Sequence, residues 1–294
     1  MKGFLWRCAV VLILTGQAAC VSHLSGPASA SRPQMPVGGN GPVAYDRIDD
    51  LVFTPADWSQ ALSGDVYRPQ LPGLLPAVVL IHGGGWSRRS HDDMAPLAAE
   101  LAGRGYVVFN ISYRFAPKHA FPAQVRDVQQ AVRWLRQQAG RFGVDAQRIA
   151  GMGYSSGAHL AAMVGLLSPG DALYSPDARL QALVLGGAPM DLRDYHGGSL
   201  VPNFLGTSDG ADPVYEQASP VTYITPDDPP TFLYHGALDV LVRADYARKA
   251  FEALQAAEVT SELYIHRLRE HVTMFVWGAG AEQAGMQFLD RHLR

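Results

Sequence analysis

A serine hydroxyl is chemically idle until the backbone presents it and a base takes its proton. Residues 151–157, GMGYSSG, offer such a presentation: Ser155 stands between Gly153 and Gly157 in the spacing G-x-S-x-G. Where a strand turns sharply into a helix, Cβ atoms at those two flanking positions would collide, and glycine removes them. The pentapeptide alone also occurs by chance in loops rich in glycine and serine, so it needs partners. Gly151, Gly153 and Gly157 also approximate a dinucleotide-binding pattern, which requires an acid about 20 residues on, at the end of the next strand. That strand ends VLGGAP, without one.

A second glycine cluster lies in LIHGGGW, residues 80–86. Acyl transfer through a tetrahedral intermediate needs backbone N–H groups aimed at the developing oxyanion, and side chains beside them would hold the substrate carbonyl away. Gly84, Gly85 and the amide of Ser156 are the candidate donors, with His82 and Trp86 framing the loop. A phosphate-cradling loop would continue G-K-[ST], which is not found here.

The serine also needs a base and an acid that orients it, and an order of serine, acid, histidine is one arrangement that serves. Asp239, in YHGALDVLV, follows an apolar run and precedes a helical pattern; Asp191, in APMDL, is its rival. His271, in REHVTMF, sits just past the strand-like ELYIHRL, with His266 inside that strand and His292 in the tail of the last helix as alternatives. His159, one turn after the serine, reads as packing, and His23, His91, His119, His196 and His235 read as surface or structural residues. None of the histidines has the spacing of a zinc site, so neither a metal nor another cofactor is expected.

Elements must bring these residues together. Strand patterns (AVVLIH, YVVFNISY, RIAGMG, QALVLGGA, PPTFLYHG, SELYIHRL) alternate with helical ones, among them MAPLAAELAGRG, a helix from Pro122 and ADYARKAFEALQAA. Alternation of this kind predicts a mostly parallel central sheet with helices on both faces. Residues 192–222 break the rhythm, mixing turn residues with Tyr195, Phe204, Leu205 and Tyr215, and predict a lid-like insertion.

At 294 residues and 48% apolar, the chain can bury one large α/β core, and a net charge of −3 with 17% charged residues carries no nucleic-acid footprint. Residues 1–20 read as an export signal, with Lys2 and Arg7 ahead of CAVVLILTG, an apolar run too short to span a bilayer. Cys20, after Ala18 and Ala19, is a candidate lipoprotein site and membrane tether, while ASA at 28–30 is a second cleavage candidate that would discard it. Residues 21–43 have linker composition, and 44–294 form the expected folded domain, which with both cysteines at positions 8 and 20 contains no disulfide.

With HGGGW, G-x-S-x-G, Asp239 and His271 in that order, the chain resembles the α/β-hydrolase superfamily. It is most similar there to the hormone-sensitive-lipase-like and the feruloyl and acetyl-xylan esterase-like carboxylesterases. SYRFAPKHAFPAQVRDV (112–128) is similar to the block Y-R-L-A-P-x-H-x-F-P-A…D of those esterases, with Phe115 in place of leucine. The resemblance runs from about Val52 to His292. It implies the α/β-hydrolase fold and a serine carboxylesterase that takes short-chain or aromatic esters through an acyl-enzyme, and the expected export of the chain, periplasmic or secreted, fits polysaccharide-linked esters as well as free ones. It also implies that Tyr113, Arg114, Pro122 and Asp127 brace the site. Two positions depart from the family pattern: Glu270 precedes the histidine where glycine is usual, and Phe275 follows it by four residues rather than three. A serine peptidase or amidase could use the same three residues, and a non-catalytic binding protein the same scaffold.

Overall fold

The computed structural model describes residues 21–26, 41–195 and 198–294. Among the described residues nine strands, numbered in chain order, form one sheet in the order β1-β9-β8-β7-β6-β4-β5-β3-β2. Its centre is parallel: β5 (Val107–Ile111), β4 (Leu75–Ile81), β6 (Val144–Tyr154), β7 (Leu183–Gly186), β8 (Thr231–Gly236) and β9 (Ser261–His266) all run one way. Strands of such a sheet are covered on both faces, which is why β4 reads as an unbroken apolar run and β5 as one broken only by Asn110. In β4 the side chains alternate, Ala77, Val79 and Ile81 entering one core and Val78 and Leu80 the other.

Helices α2 (Ala123–Gln137), α3 (Ser156–Leu166) and α4 (Ala244–Ala256) cover the first face, and α1 (Ala95–Gly103) and α6 (Ala279–Leu293) the second. A further helix, α5 (His271–Trp277), stands at the carboxyl end of β9. Among the described residues no helix is long and apolar enough to cross a membrane.

Both margins of the sheet are antiparallel. β3 (Ser63–Pro69) pairs with β5, and β2 (Tyr45–Val52), which carries three aspartates and an arginine, pairs with β3 through a register break between Ile48 and Leu51. At the opposite margin β1 (Val21–Ser25) pairs with β9, Val21 facing His266. That corrects the expectation of a linker beginning at residue 21. An edge strand needs its neighbour's unpaired backbone groups more than apolar content of its own, and here His23 adds a 2.9 Å contact to Glu262. The expected signal segment and Cys20 lie outside the described residues, as do residues 27–40.

Candidate active site

β6 ends at Tyr154, and the chain passes through Ser155 at φ 54°, ψ −123° before α3 begins at Ser156. That left-handed turn is strained for serine and holds its Oγ clear of the sheet. The flanking glycines are needed for contact: a Cβ on Gly153 would lie 2.6 Å from the Gly157 carbonyl carbon, and one on Gly157 would fall on the Ile81 carbonyl oxygen. The Ser155 N–H is fastened to Gly186 O at 2.7 Å.

Three sheet ends converge on that hydroxyl. His271 Nε2 accepts from Ser155 Oγ at 2.9 Å, and His271 Nδ1–H donates to Asp239 Oδ2 at 2.6 Å. Asp239 sits in the loop after β8, where its Oδ1 accepts from the N–H groups of Leu241 (2.9 Å) and Val242 (2.8 Å). Burial works to raise its pKa, but the hydrogen bonds from His235 and His271 outweigh burial and hold the carboxyl well below the ordinary carboxylate range. An ionised Asp239 can only accept, which assigns the proton of neutral His271 to Nδ1 and leaves the Nε2 lone pair facing Ser155.

His271 is the first residue of α5, and Glu270 is its N-cap: the carboxylate accepts from Thr273 N–H and Val272 N–H, while Thr273 Oγ1 accepts from Glu270 N–H. The departure from glycine at position 270 therefore has a local cause, since the capping box sets where the helix begins and how His271 enters it. Tyr154 adds a second restraint by donating its hydroxyl to the His271 carbonyl at 2.6 Å. Phe275 packs on Tyr154 at 5.1 Å.

The rival residues are engaged elsewhere. Asp191 is paired with Arg193 and accepts from Ser219; His266 Nδ1 accepts from Leu268 N–H at the end of β9; His292 packs on Phe288. His235, read from sequence as structural at most, is fully buried in β8 with Nε2 2.6 Å from Val242 O and 3.1 Å from Asp239 Oδ2. Asp239 thus lies between two histidines. The spacing of four residues between His235 and Asp239 was the only trace of this in the sequence.

The glycine loop lies beside the serine, for a Cβ on Gly83 would be 3.4 Å from Ser155 Cβ. Gly84 (φ 118°) and Gly85 (φ 61°) occupy backbone regions that side chains disfavour, so the loop shape itself demands glycine. Among the described residues neither donates its N–H in a turn or loop hydrogen bond, and Ser156, first in α3, has no intrahelical acceptor. Gly84, Gly85 and Ser156 line one cavity with Ser155 and His271.

His82 lies beneath this loop rather than in the cavity. Its ring stacks on Tyr113 at 4.4 Å and Nδ1 is 2.6 Å from Gly83 O, while burial brings its pKa down to about 4 and keeps it neutral. Tyr113 hydroxyl reaches His82 O and Ser156 Oγ, both at 3.2 Å. Trp86 stacks on Phe204 at 4.4 Å and donates Nε1–H to His159 Nδ1 at 3.2 Å; His159 Nε2–H in turn donates to Ala218 O at 2.8 Å. Burial depresses the His159 pKa to about 4, in keeping with that single-proton tautomer. Trp86 and His159 therefore fasten the glycine loop to the 192–222 insertion, whose Tyr195, Leu200 and Val201 form one wall of the cavity.

The block at 112–128 braces the site from the side. The fully buried Asp127 takes Arg114 through its backbone N–H and guanidinium, at 2.7 to 2.9 Å, and also accepts from Trp58 Nε1. Asp50, Asp65 and His91 place ligand-type atoms within 4.8 Å of one another, but Arg47 and the Asp50 N–H already occupy the Asp65 oxygens.

Residues 65–254 match the BD-FAE family. The chain is 29% identical over 276 residues to a probable carboxylic ester hydrolase, LipM, of Mycobacterium tuberculosis, spanning 81% of this chain and 61% of that one. It is 31% identical over 218 residues to esterase LipC of the same organism, spanning 68% and 54%. Among solved structures it is similar to Thermogutta terrifontis esterase 2 phosphonylated by sarin, with a TM-score of 0.70, 25% identity, and 88% and 96% of the two chains covered. A truncated carbohydrate esterase from gut microbiota superposes with a TM-score of 0.71 at 21% identity, over 85% and 99% of the chains. The chain spans little more than half the length of the curated relatives it matches.

Proposed function

Because the chain belongs to the BD-FAE family and has the α/β-hydrolase fold, we propose that it is a serine carboxylesterase. One observation carries this reading: Ser155, His271 and Asp239, from three separate strand ends, stand in a continuous hydrogen-bonded relay at 2.9 and 2.6 Å. His271 Nε2 removes the Ser155 proton as Oγ attacks the ester carbonyl, and the imidazolium that forms is held by Asp239. The N–H groups of Gly84, Gly85 and Ser156 take the oxyanion. His271 then protonates the departing alcohol, and water repeats the sequence on the acyl-enzyme. The cavity of about 290 Å³ and its wall of Leu200, Val201, Val242 and Phe275 suit a short aliphatic or aromatic acyl group.

Ser155→Ala is expected to abolish hydrolysis of p-nitrophenyl acetate in a folded protein, and a fluorophosphonate probe to label native protein at Ser155 alone. Turnover retained by the variant would refute the assignment. A matched anilide beside the aryl ester separates esterase from amidase.

Export and a lipid tether at Cys20 form part of the proposal. Pairing of Val21–Ser25 with β9 supports cleavage before Cys20, because a cut after Ala30 would remove an edge strand of the sheet. Mass spectrometry of the mature N-terminal peptide tests this: a diacylglyceryl-modified Cys20 is expected, and a chain starting at Ser31 contradicts it.

A further inference from the structure

Large apolar side chains exposed to water are scattered singly on most proteins; here they gather. Among the described residues, seven of the eleven exposed large hydrophobics come from the loop that supplies the acid and from the loop and helix α5 that supply the base. Leu238, Val240 and Leu241 flank Asp239, with Val240 92% exposed. Leu268, Val272, Val276 and Trp277 flank His271, and the last is 61% exposed.

The two groups adjoin, since Leu238 N–H donates to Arg269 O at 2.9 Å and the Arg269 guanidinium lies over the Trp277 ring at 5.5 Å. Val272 and Val276 are one helical turn apart on α5 and share a face. Leu241 and Val272 also line the cavity, so the patch is its lip. Arg267 and Arg269 border it and neither has a carboxylate partner among the described residues. Glu270, next to Arg269, is turned onto the amides of α5, and the Asp239 carboxylate is buried against His271 and His235. An aromatic ring, branched aliphatics and guanidinium groups that no described carboxylate neutralises together suit the boundary between anionic headgroups and acyl chains.

The topology says where a bilayer would be. β1 runs antiparallel to β9, so Val21 lies opposite His266, at the carboxyl edge of the sheet and two residues from Leu268. Cys20, the proposed point of lipid attachment, immediately precedes Val21 in the sequence, so the tether would join the fold beside the apolar lip.

We propose that this lip docks on an anionic phospholipid bilayer, so that the cavity mouth opens onto the lipid and the ester it takes is one carried at that surface. The proposal rests on the esterase reading for the identity of the cavity and on the Cys20 tether for proximity.

The mature, lipidated protein is reconstituted into phosphatidylglycerol and phosphatidylethanolamine vesicles with brominated acyl chains, which quench tryptophan on contact. Native protein should lose emission that Trp277→Phe does not. Val240→Glu combined with Leu268→Glu, both outside the cavity lining, should abolish that quenching and lower turnover of a vesicle-borne ester about tenfold or more. Turnover of soluble p-nitrophenyl acetate should stay unchanged. Equal emission from native protein in brominated and plain vesicles would overturn the proposal, as would a double variant that still quenches. So would sedimentation showing a dimer that buries Trp277, which would assign the patch to a second copy of the chain. The quenching is independent of hydrolysis, and untethered protein can be titrated with the same vesicles, so failure of the esterase or tether reading is distinguished by soluble turnover and by the mass of Cys20.

Discussion

Replacing Asp239 with asparagine changes one atom, and the surroundings dictate how the new side chain must lie. Leu241 N–H and Val242 N–H both donate to Oδ1, at 2.9 and 2.8 Å, so the amide oxygen has to occupy that side. The NH₂ group is then left where Oδ2 stood, 2.6 Å from His271 Nδ1 and 3.1 Å from His235 Nε2. An N–H facing Nδ1 forces the imidazole proton onto Nε2, pointing at Ser155 Oγ, and the lone pair needed to take the serine proton is gone. The substitution also removes the negative charge that stabilises the imidazolium. Loss of the correct tautomer in such a relay lowers kcat by about 10⁴-fold, or about 5 kcal/mol of transition-state stabilisation. Initial rates on p-nitrophenyl acetate give kcat and KM separately, and ¹⁵N spectra of the His271 ring report its tautomer. A kcat within tenfold of native, or a proton still on Nδ1 in Asp239→Asn, would refute the reasoning.

Tyr154→Phe should leave the His271 carbonyl without its buried 2.6 Å donor, at a cost of about 1 to 3 kcal/mol. Calorimetry should then show a Tm lower by about 3 to 8 °C together with a reduced kcat, and an unchanged Tm would contradict the restraint described above. Glu282, in α6, has its pKa raised to about 7 by burial, with Glu100 nearby adding to the effect. The folded state therefore binds a proton that the unfolded chain releases near pH 4.5, so stability falls as pH rises from there to about 7. Glu282→Gln removes that penalty and should gain about 2 to 3 kcal/mol over native protein at pH 8 but nothing near pH 4. Urea unfolding at the two pH values reads the difference, and equal gains at both would sink it.

The parallel strands were legible because burial on both faces leaves mostly apolar residues between turn signals, as in AVVLI. Ser155, Asp239 and His271 were legible for a related reason: loops at strand ends must present chemistry, and few polar residues stand at those ends. β1 was not, because VSHLS earns its place through hydrogen bonds to β9, which local composition does not record. His235 was hidden by alternation, since its side chain leaves β8 inward and meets Asp239 only after the following loop folds back. The bridge from Trp86 through His159 to Ala218 joins three distant segments, and no spacing along the chain encodes such a meeting.

Among the described residues no strand pairs with the outer side of β2, and that edge bears on how the molecule behaves when crowded. Asp46, Arg47, Asp49 and Asp50 lie along that open ladder and its register breaks between Ile48 and Leu51, so a strand from a neighbouring molecule would meet fixed charges and an interrupted row of amides. Filament growth by edge-to-edge templating is thereby discouraged. A protein that accumulates in a confined compartment, or is concentrated in the laboratory, keeps its strands to itself.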